Sequence, residues 1–292
     1  MGPVMLLDAA TLYYRAYYAL PDSLVSPSGM PVNAVRGFFD GLRTLRDRYA
    51  PEGIVAAWDA DWRPQWRVDL LPSYKTHRLA DDDSVADLEA VPDTLSPQID
   101  VIADICTAVG IAVVGVDGME ADDVIAGIAL TATDPIDVVS GDRDLTQLVS
   151  DAHHRRLLYL GTGIGKHTVY DDALVLETYG VRPDQYADFA VLRGDPSDGI
   201  PGAPGIGPKT AAQYLQAFDD LDGVLSAAVD VTAPITKAKA AVLLEHADLL
   251  RRTQQVVTLQ AARIELPSVS RDESRRDELA AEYGLHSVLK HW

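Results

Sequence analysis

Cysteine is nearly absent: Cys106 is the only one in the chain. It sits in the helix-patterned stretch Ile99 to Val109, so neither a disulfide framework nor a cysteine metal site can form, and a reducing compartment fits. Long apolar runs are missing too, since the N-terminal Val4-Met5-Leu6-Leu7 stops at Asp8, far short of a secretory core segment or a membrane span. The seven histidines show no zinc spacing, and His153-His154 is expected at the surface. No low-complexity tract or internal repeat is visible, which leaves a two-part architecture as the simplest reading. Positive charge is scarce: 25 Lys and Arg stand against 44 Asp and Glu, a net charge of −19. That balance excludes a uniformly basic nucleic-acid face. It permits phosphate recognition only where metal neutralises carboxylates and the basic groups are gathered locally.

What is present suits a folded soluble enzyme of the cytoplasm. At 292 residues, 47% apolar and 24% charged, the chain can bury one large α/β domain, or a domain plus a smaller module. Short apolar runs end in acids: Val4 to Leu7 before Asp8, Ile54 to Trp58 before Asp59, and Ile136 to Val139 before Gly141-Asp142, while Ile111 to Val116 precedes Glu120. Helical patterns alternate with them at Val35 to Tyr49, Ile99 to Val109 and Val124 to Leu130. The order predicts an α/β fold with a central, mainly parallel sheet, at whose strand ends the acids meet.

From Arg63 to Gln98 the pattern breaks into a segment holding Arg63, Arg67, Lys75, His77 and Arg78, then Asp81-Asp82-Asp83 and two prolines. So long an excursion reads as a lid or arch. Beyond about Tyr179 helical patterns take over, at Asp184 to Arg193, Lys209 to Phe218, Lys237 to Arg252 and Asp277 to Leu285. The expected division is 1–180 for the sheet domain, with the arch at about 63–98, and 181–292 for a helical module and the C-terminal helices.

Nine acids stand where strands end or helices begin: Asp8, Asp59, Glu120, Asp122, Asp123, Asp142, Asp144, Asp195 and Asp198. Any one of them alone is better read as a surface acid or a helix cap. Together they are not, because two carboxylates about 4 Å apart repel by roughly 4 kcal/mol at an effective dielectric of about 20. Folding stability is too small to carry many such pairs without cations. Oxygen-only donors suit Mg²⁺ or Mn²⁺, and a pair of ions about 3.5–4 Å apart serves in-line displacement at a phosphodiester. Lys75 and Arg78, with Arg15 as a further candidate, are the positive groups for the phosphate.

Between two helical stretches, Gly205-Ile206-Gly207 followed by Pro208 reads as a tight hairpin opening a helix, whose amides can grip a phosphate without sequence preference. Neither glycine-rich stretch is a Walker A loop. Gly207 is followed by Pro208 rather than Lys, and Gly161-Thr-Gly-Ile-Gly-Lys-His lacks the first glycine and the closing Ser or Thr and reads as a flexible loop.

These residues resemble the 5′ nuclease domain of bacterial DNA polymerase I and its stand-alone flap endonuclease relatives. The likeness runs from Leu6-Leu-Asp through Tyr13-Tyr-Arg-Ala, Ser73-Tyr-Lys-Thr-His-Arg, Glu120-Ala-Asp-Asp, Gly141-Asp-Arg-Asp-Leu and Gly194-Asp-Pro-Ser-Asp to Gly205-Ile-Gly-Pro-Lys-Thr-Ala. It implies a PIN-like core, a helical arch and a helix-three-turn-helix module that grips duplex DNA and often holds K⁺. It further implies that Asp8, Asp59, Glu120 and Asp122 build a first metal site, with Asp123 near the junction, and that Asp142, Asp144, Asp195 and Asp198 build a second. Two or more Mg²⁺ or Mn²⁺ ions are expected. Lys75 and Arg78 match arch residues that steady the scissile phosphate, and DNA contacts are expected from Arg15, Tyr74, Gly205, Ile206, Gly207, Lys209 and Thr210. Three places depart from the pattern: Asp8-Ala-Ala where Asp-Gly-Ser is usual, Asp198-Gly where Asp-Asn is usual, and Asp59-Ala-Asp-Trp. The function implied is that of a monomeric flap endonuclease and 5′-3′ exonuclease, acting on DNA flaps, nicks and primer ends in replication and repair near the nucleoid. The alternatives are a PIN-like RNase and a non-catalytic junction-binding protein.

Overall fold

A computed structural model describes residues 2–80, 89–261 and 263–292. The first strand shows how the sheet is built. In β1 (Val4–Asp8), Met5 and Leu7 face one side and Leu6 the other, the period-two alternation of a strand. Both faces are covered, so the strand reads as a continuous apolar run rather than an alternating one.

Following β1 are α1 (Ala9–Ala19), α2 (Asn33–Tyr49), β2 (Gly53–Ala57), α3 (Gln65–Leu70), α4 (Ser96–Ala108), β3 (Ala112–Val114), α5 (Ala121–Thr131) and β4 (Ile136–Ser140). Then come β5 (Arg155–Tyr159), β6 (Thr168–Tyr170) and α6 (Asp172–Tyr179). The six strands lie in the order β3-β2-β1-β4-β5-β6, all parallel except β6, which runs antiparallel to β5. The chain steps outward from β1 through β2 to β3, then returns to place β4 on the other side of β1. The crevice at that reversal, outside the carboxyl ends of β1 and β4, is where such sheets bind ligands.

α7 (Tyr186–Arg193), α8 (Pro208–Phe218), α9 (Leu221–Val229), α10 (Lys237–Glu245) and α11 (Ala247–Val257) gather around a separate core that includes Tyr186, Phe189, Leu215 and Leu250. The sequence pattern predicts one helix over 237–252, but the chain breaks at His246. The break has a packing cause: α10 lies on α9, whereas α11 lies on α7 and α3. The last helices, α12 (Glu273–Glu282) and α13 (His286–Leu289), return to the sheet, where Leu279, Leu285, Leu289 and Trp292 join its first core. The C-terminal helices thus pack on the sheet side, and Leu71 and Tyr74 of the arch segment pack in the helical core. Leu70, Leu71 and Tyr74 tie that segment to the helical core. Asp81-Asp82-Asp83 lies outside the described residues. No described helix is long and apolar enough to cross a membrane.

Candidate active site

Strand ends place the acids, and polar caps stitch the ends together. Asp8 closes β1 and caps α1 through Thr11, while Ser140 at the end of β4 donates its hydroxyl to Asp8 Oδ2 at 2.6 Å. The same Ser140 oxygen accepts the Asp142 amide at 2.9 Å, and Asp142 Oδ1 accepts the Asp144 amide at 2.8 Å. Just past β2, Asp59 accepts the Ala121 amide at 2.8 Å, so the β2 end is tied to the first turn of α5, where Glu120, Asp122 and Asp123 lie. Asp8, Asp59, Glu120, Asp122 and Asp142 line one cavity of about 980 Å³, together with Arg15, Lys75 and Arg78. Asp144 and Asp198 line a narrow cleft beside it that shares Glu120 and Asp122.

The far wall is closed by the segment that carries Lys75. Ser73 donates to the Gly199 carbonyl at 2.8 Å and the Lys75 amide to the Asp198 carbonyl at 3.0 Å. Gly199 has φ +71, and a Cβ there would lie 2.1 Å from the Ser73 carbonyl oxygen. This accounts for one departure in sequence, because Asn tolerates the left-handed backbone but would push Ser73 away.

Protein cations neutralise part of the acid set. Lys75 Nζ lies 2.7 Å from Glu120, Arg78 lies 2.9 Å from Asp198, and Asp195 is held by Arg193 at 2.8 Å and Arg143 at 3.6 Å. Burial opposes ionisation of Asp195, but hydrogen bonds from Ser197 and the pull of Arg193 outweigh it and bring its pKa below the ordinary value. For Lys75, burial likewise favours the neutral form, and Glu120, Tyr74 and Asp198 overcome it, so its pKa is raised and the ammonium is kept.

For four acids such relief falls short of the cost of burial. Burial, more than the pull of Lys75, pushes Asp59 up to about 7. Burial and then Asp198 push Asp142 up to about 6. Asp122 is raised well above the usual range by burial, Asp142 and Asp8, and Asp144 by burial, Asp142 and Asp198. The donor set is all carboxylate oxygen and short of positive charge, which is the chemistry a hard divalent cation fits. Among the described residues, no three His, Cys, Asp or Glu side chains already converge as a closed metal-binding group. Glu120, Asp195 and Asp198 are meanwhile turned to basic partners.

Several expectations need correction. Asp123 is fully buried and both its oxygens are taken: Arg67 binds them at 2.8 and 2.9 Å, and the Gln260 amide donates at 2.9 Å. It belongs to the frame and not to a metal. Tyr74 is buried with its hydroxyl on Glu120 at 2.9 Å, so it is not a DNA contact. Ile206 is buried in the helical core and its amide already donates to the Ala203 carbonyl. At the hairpin Gly205 carries the positive φ, +76, while Gly207 is extended at φ −88 and caps α8. Lys209 is exposed, and Thr210 accepts from Lys239 at 3.2 Å. The Gly161–Gly165 stretch, read as a flexible loop, turns through a short 3-10 segment at Ile164–Lys166 and lines the cavity.

Thr11 and Ser140 go unmarked as site residues in the sequence pattern, and Arg67 appears there only among the basic residues of the arch segment. Thr11, three residues beyond Asp8, was legible as a capping pattern. Arg67 was not, because a lone arginine beside Trp66 looks like any surface charge. It is 2% exposed, forks onto Asp123, and donates through Nε to the Val256 carbonyl at 3.0 Å. Arg67→Lys keeps the charge and loses the fork, so unfolding in urea is expected to cost about 2 kcal/mol less. A midpoint equal to wild type at unchanged slope would show that the fork contributes nothing.

Residues 3–180 match the family model described as 5′-3′ exonuclease, N-terminal resolvase-like domain, and residues 181–277 match that of 5′-3′ exonuclease, C-terminal SAM fold. A 5′-3′ exonuclease of Streptomyces coelicolor is 49% identical over 294 residues, covering 98% of this chain and 97% of that protein. One of Mycobacterium tuberculosis is 42% identical over 304 residues, covering 99% and 96%. Among solved structures, the bacteriophage T5 flap endonuclease in a complex with DNA and metal ions is similar in fold, with a TM-score of 0.69 at 18% identity over 99% of this chain and 96% of that one.

Proposed function

The chain belongs to the 5′-3′ exonuclease family, and from that premise we propose that it hydrolyses DNA phosphodiesters at 5′ flaps, nicks and primer ends with the help of Mg²⁺ or Mn²⁺. It is a nuclease by family; the substrate shape and the metal are what is proposed. The observation that carries the reading is the surplus of uncompensated carboxylate on Asp59, Asp122, Asp142 and Asp144 at the point where the strand order reverses. Asp8 joins them, and Glu120, Asp195 and Asp198 would complete two ligand groups on release from their basic partners. Held by these residues, a pair of divalent ions would supply a water nucleophile and stabilise the leaving oxygen.

The chain's own residues do the rest. Lys75 and Arg78, freed from Glu120 and Asp198, turn to the phosphate oxygens on which charge develops, and Arg15 lines the same cavity. Residues 1–180 act as the cutting unit. The helices of 181–257 act as the duplex grip, with Gly205, Gly207, Lys209 and Thr210 on the phosphate backbone. A K⁺ ion at the hairpin is part of the proposal, since backbone carbonyls suit it. The protein works as a monomer in replication and repair.

The test sets a labelled 5′-flap duplex beside a single-stranded RNA of equal length, in Mn²⁺ and in EDTA. Flap cleavage that needs Mn²⁺ supports the reading. Preferential cutting of the RNA would assign the chain to RNA processing instead, and binding without cutting would make it a junction binder.

The hairpin yields a separate expectation. A Cβ at Gly205 meets nothing within 4 Å, but a β-branched residue resists φ +76. Gly205→Val should weaken flap-duplex affinity about tenfold, corresponding to roughly 1–2 kcal/mol of backbone strain, and affect very short single-stranded substrates less. Gly207→Val, at an extended φ and in open space, carries no such strain, so its loss of affinity should be smaller and reflect only side-chain bulk at the phosphate. Equal losses in both variants would detach the effect from backbone conformation.

A further inference from the structure

Behind the acids, a wedge between α7 and the 3-10 turn Asp144–Leu148 holds polar atoms that the fold does not satisfy. Tyr186 is fully buried on α7, and its hydroxyl has no hydrogen-bond partner; Thr146 Oγ1, on the facing turn, has none either. An unpaired buried hydroxyl loses its hydration without compensation, and phenylalanine would fill the same ring site without that cost. The ring itself is well packed, against Tyr179 at 5.0 Å and Phe189 at 5.8 Å. The hydroxyl is therefore the part that needs a reason.

Its surroundings supply one. The charged groups that act on the phenol are Asp144 first, then Arg193, Arg143 and Asp142, so it sits within the field of the second acid group. Burial and then Asp144 raise its pKa, which keeps it a protonated donor. Asp144 is its natural acceptor. The Asp144 amide is bonded to Asp142, yet its carboxylate receives no hydrogen bond or ion pair among the described residues. Asp8, Asp59, Glu120, Asp195 and Asp198 are each oriented by a donor.

We propose that the Tyr186 hydroxyl is a positioning group for the reaction: in the cleavage-competent arrangement it donates toward Asp144 and fixes the direction in which that carboxylate faces its cation. A donor behind a ligating carboxylate orients it, and loss of such a partner typically lowers metal affinity or activity about 10–100-fold. The inference rests on the proposed metal-dependent function.

The experiment is Mn²⁺ binding by isothermal titration, without DNA, for the wild type, Tyr186→Phe, Asp144→Asn and the double variant. Thermal melts in EDTA and single-turnover flap cleavage against Mn²⁺ accompany it. Tyr186→Phe should weaken Mn²⁺ binding about 10–100-fold and shift the Mn²⁺ dependence of cleavage to match, while its metal-free melting temperature stays at or above that of wild type. Added to Asp144→Asn, it should weaken Mn²⁺ binding no further, since it acts through that residue. Wild-type Mn²⁺ affinity in Tyr186→Phe would overturn the proposal. So would a fall in melting temperature without a change in Mn²⁺ dependence, which marks a packing role. Absence of Mn²⁺ binding by the wild type would overturn the metal reading itself, and this inference with it.

Discussion

Asp142→Asn is expected to lower single-turnover flap cleavage by about 10³ or more while leaving duplex binding in Ca²⁺ nearly intact, because it removes charge from the centre of the acid set and not from the grip. Asp142 sits where β4 ends, its amide on Ser140 and its Oδ1 on the Asp144 amide. Asn keeps a carbonyl for that second bond, so the backbone there should hold. The same substitution separates electrostatics from folding. Burial and Asp198 raise the Asp142 pKa from 3.8 to about 6. An acid whose pKa is higher when folded favours the folded state while it carries its proton, fully below its unfolded pKa. That advantage is lost as pH rises through the folded value.

Metal-free wild type should therefore lose stability between about pH 4 and pH 6, and Asp59, pushed up to about 7, extends the loss toward neutrality. In Asp142→Asn the decline should flatten, and Mn²⁺ should raise the wild-type melting temperature more than the variant's. Melts in EDTA and in Mn²⁺ across that range check it. A variant that melts lower than wild type at pH 7 without metal would show that Asp142 is held by favourable contacts rather than by restraint of repulsion.

Asp8, Asp59, Glu120 and Asp142 were legible in sequence because each follows an apolar run that had to be a strand, and a strand buried on both faces announces itself by composition alone. Leu6 and Val138 belong to one core and Leu7 and Val139 to the other, yet all four read alike. α1 was less legible: Tyr13, Tyr14, Tyr17 and Tyr18 blur its apolar stripe, and only the cap formed by Asp8 and Thr11 marks its start. α9 was missed although Asp220 caps it and Val224 and Ala228 lie one turn apart on its buried side. Which acids are free and which are paired was not legible at all. That depends on Arg67, Lys75 and Arg78, whose acidic partners lie 45 to 120 residues away in the chain. No local pattern records such pairings. Asp122 and Asp123 are adjacent in sequence, yet one borders the cavity and the other is locked to Arg67.

Lys75→Ala is the companion test, because Lys75 is committed twice. In this structure its ammonium neutralises Glu120 at 2.7 Å, and its backbone, at φ +50, is fixed by the bond from its amide to the Asp198 carbonyl. Alanine meets the same backbone restriction, so the substitution leaves that strain unchanged. Glu120 is not stranded by it, since Tyr74 donates at 2.9 Å and Arg67 lies 3.3 Å away. The frame should therefore survive, and the measured loss should belong to the phosphate. A preorganised positive charge that acts on the transition state is worth about 10² to 10³ in rate, whereas one ordinary phosphate contact changes the slope of affinity against salt by about one unit. Single-turnover cleavage at saturating flap should thus fall by about 10² to 10³, with affinity in Ca²⁺ barely altered. Glu120, Tyr74 and Asp198 keep the ammonium charged, so the residual activity of the variant should retain the wild-type pH profile below neutrality. A loss of affinity as large as the loss of rate would make Lys75 a binding residue, and an unchanged rate would leave it only as the counter-ion of Glu120.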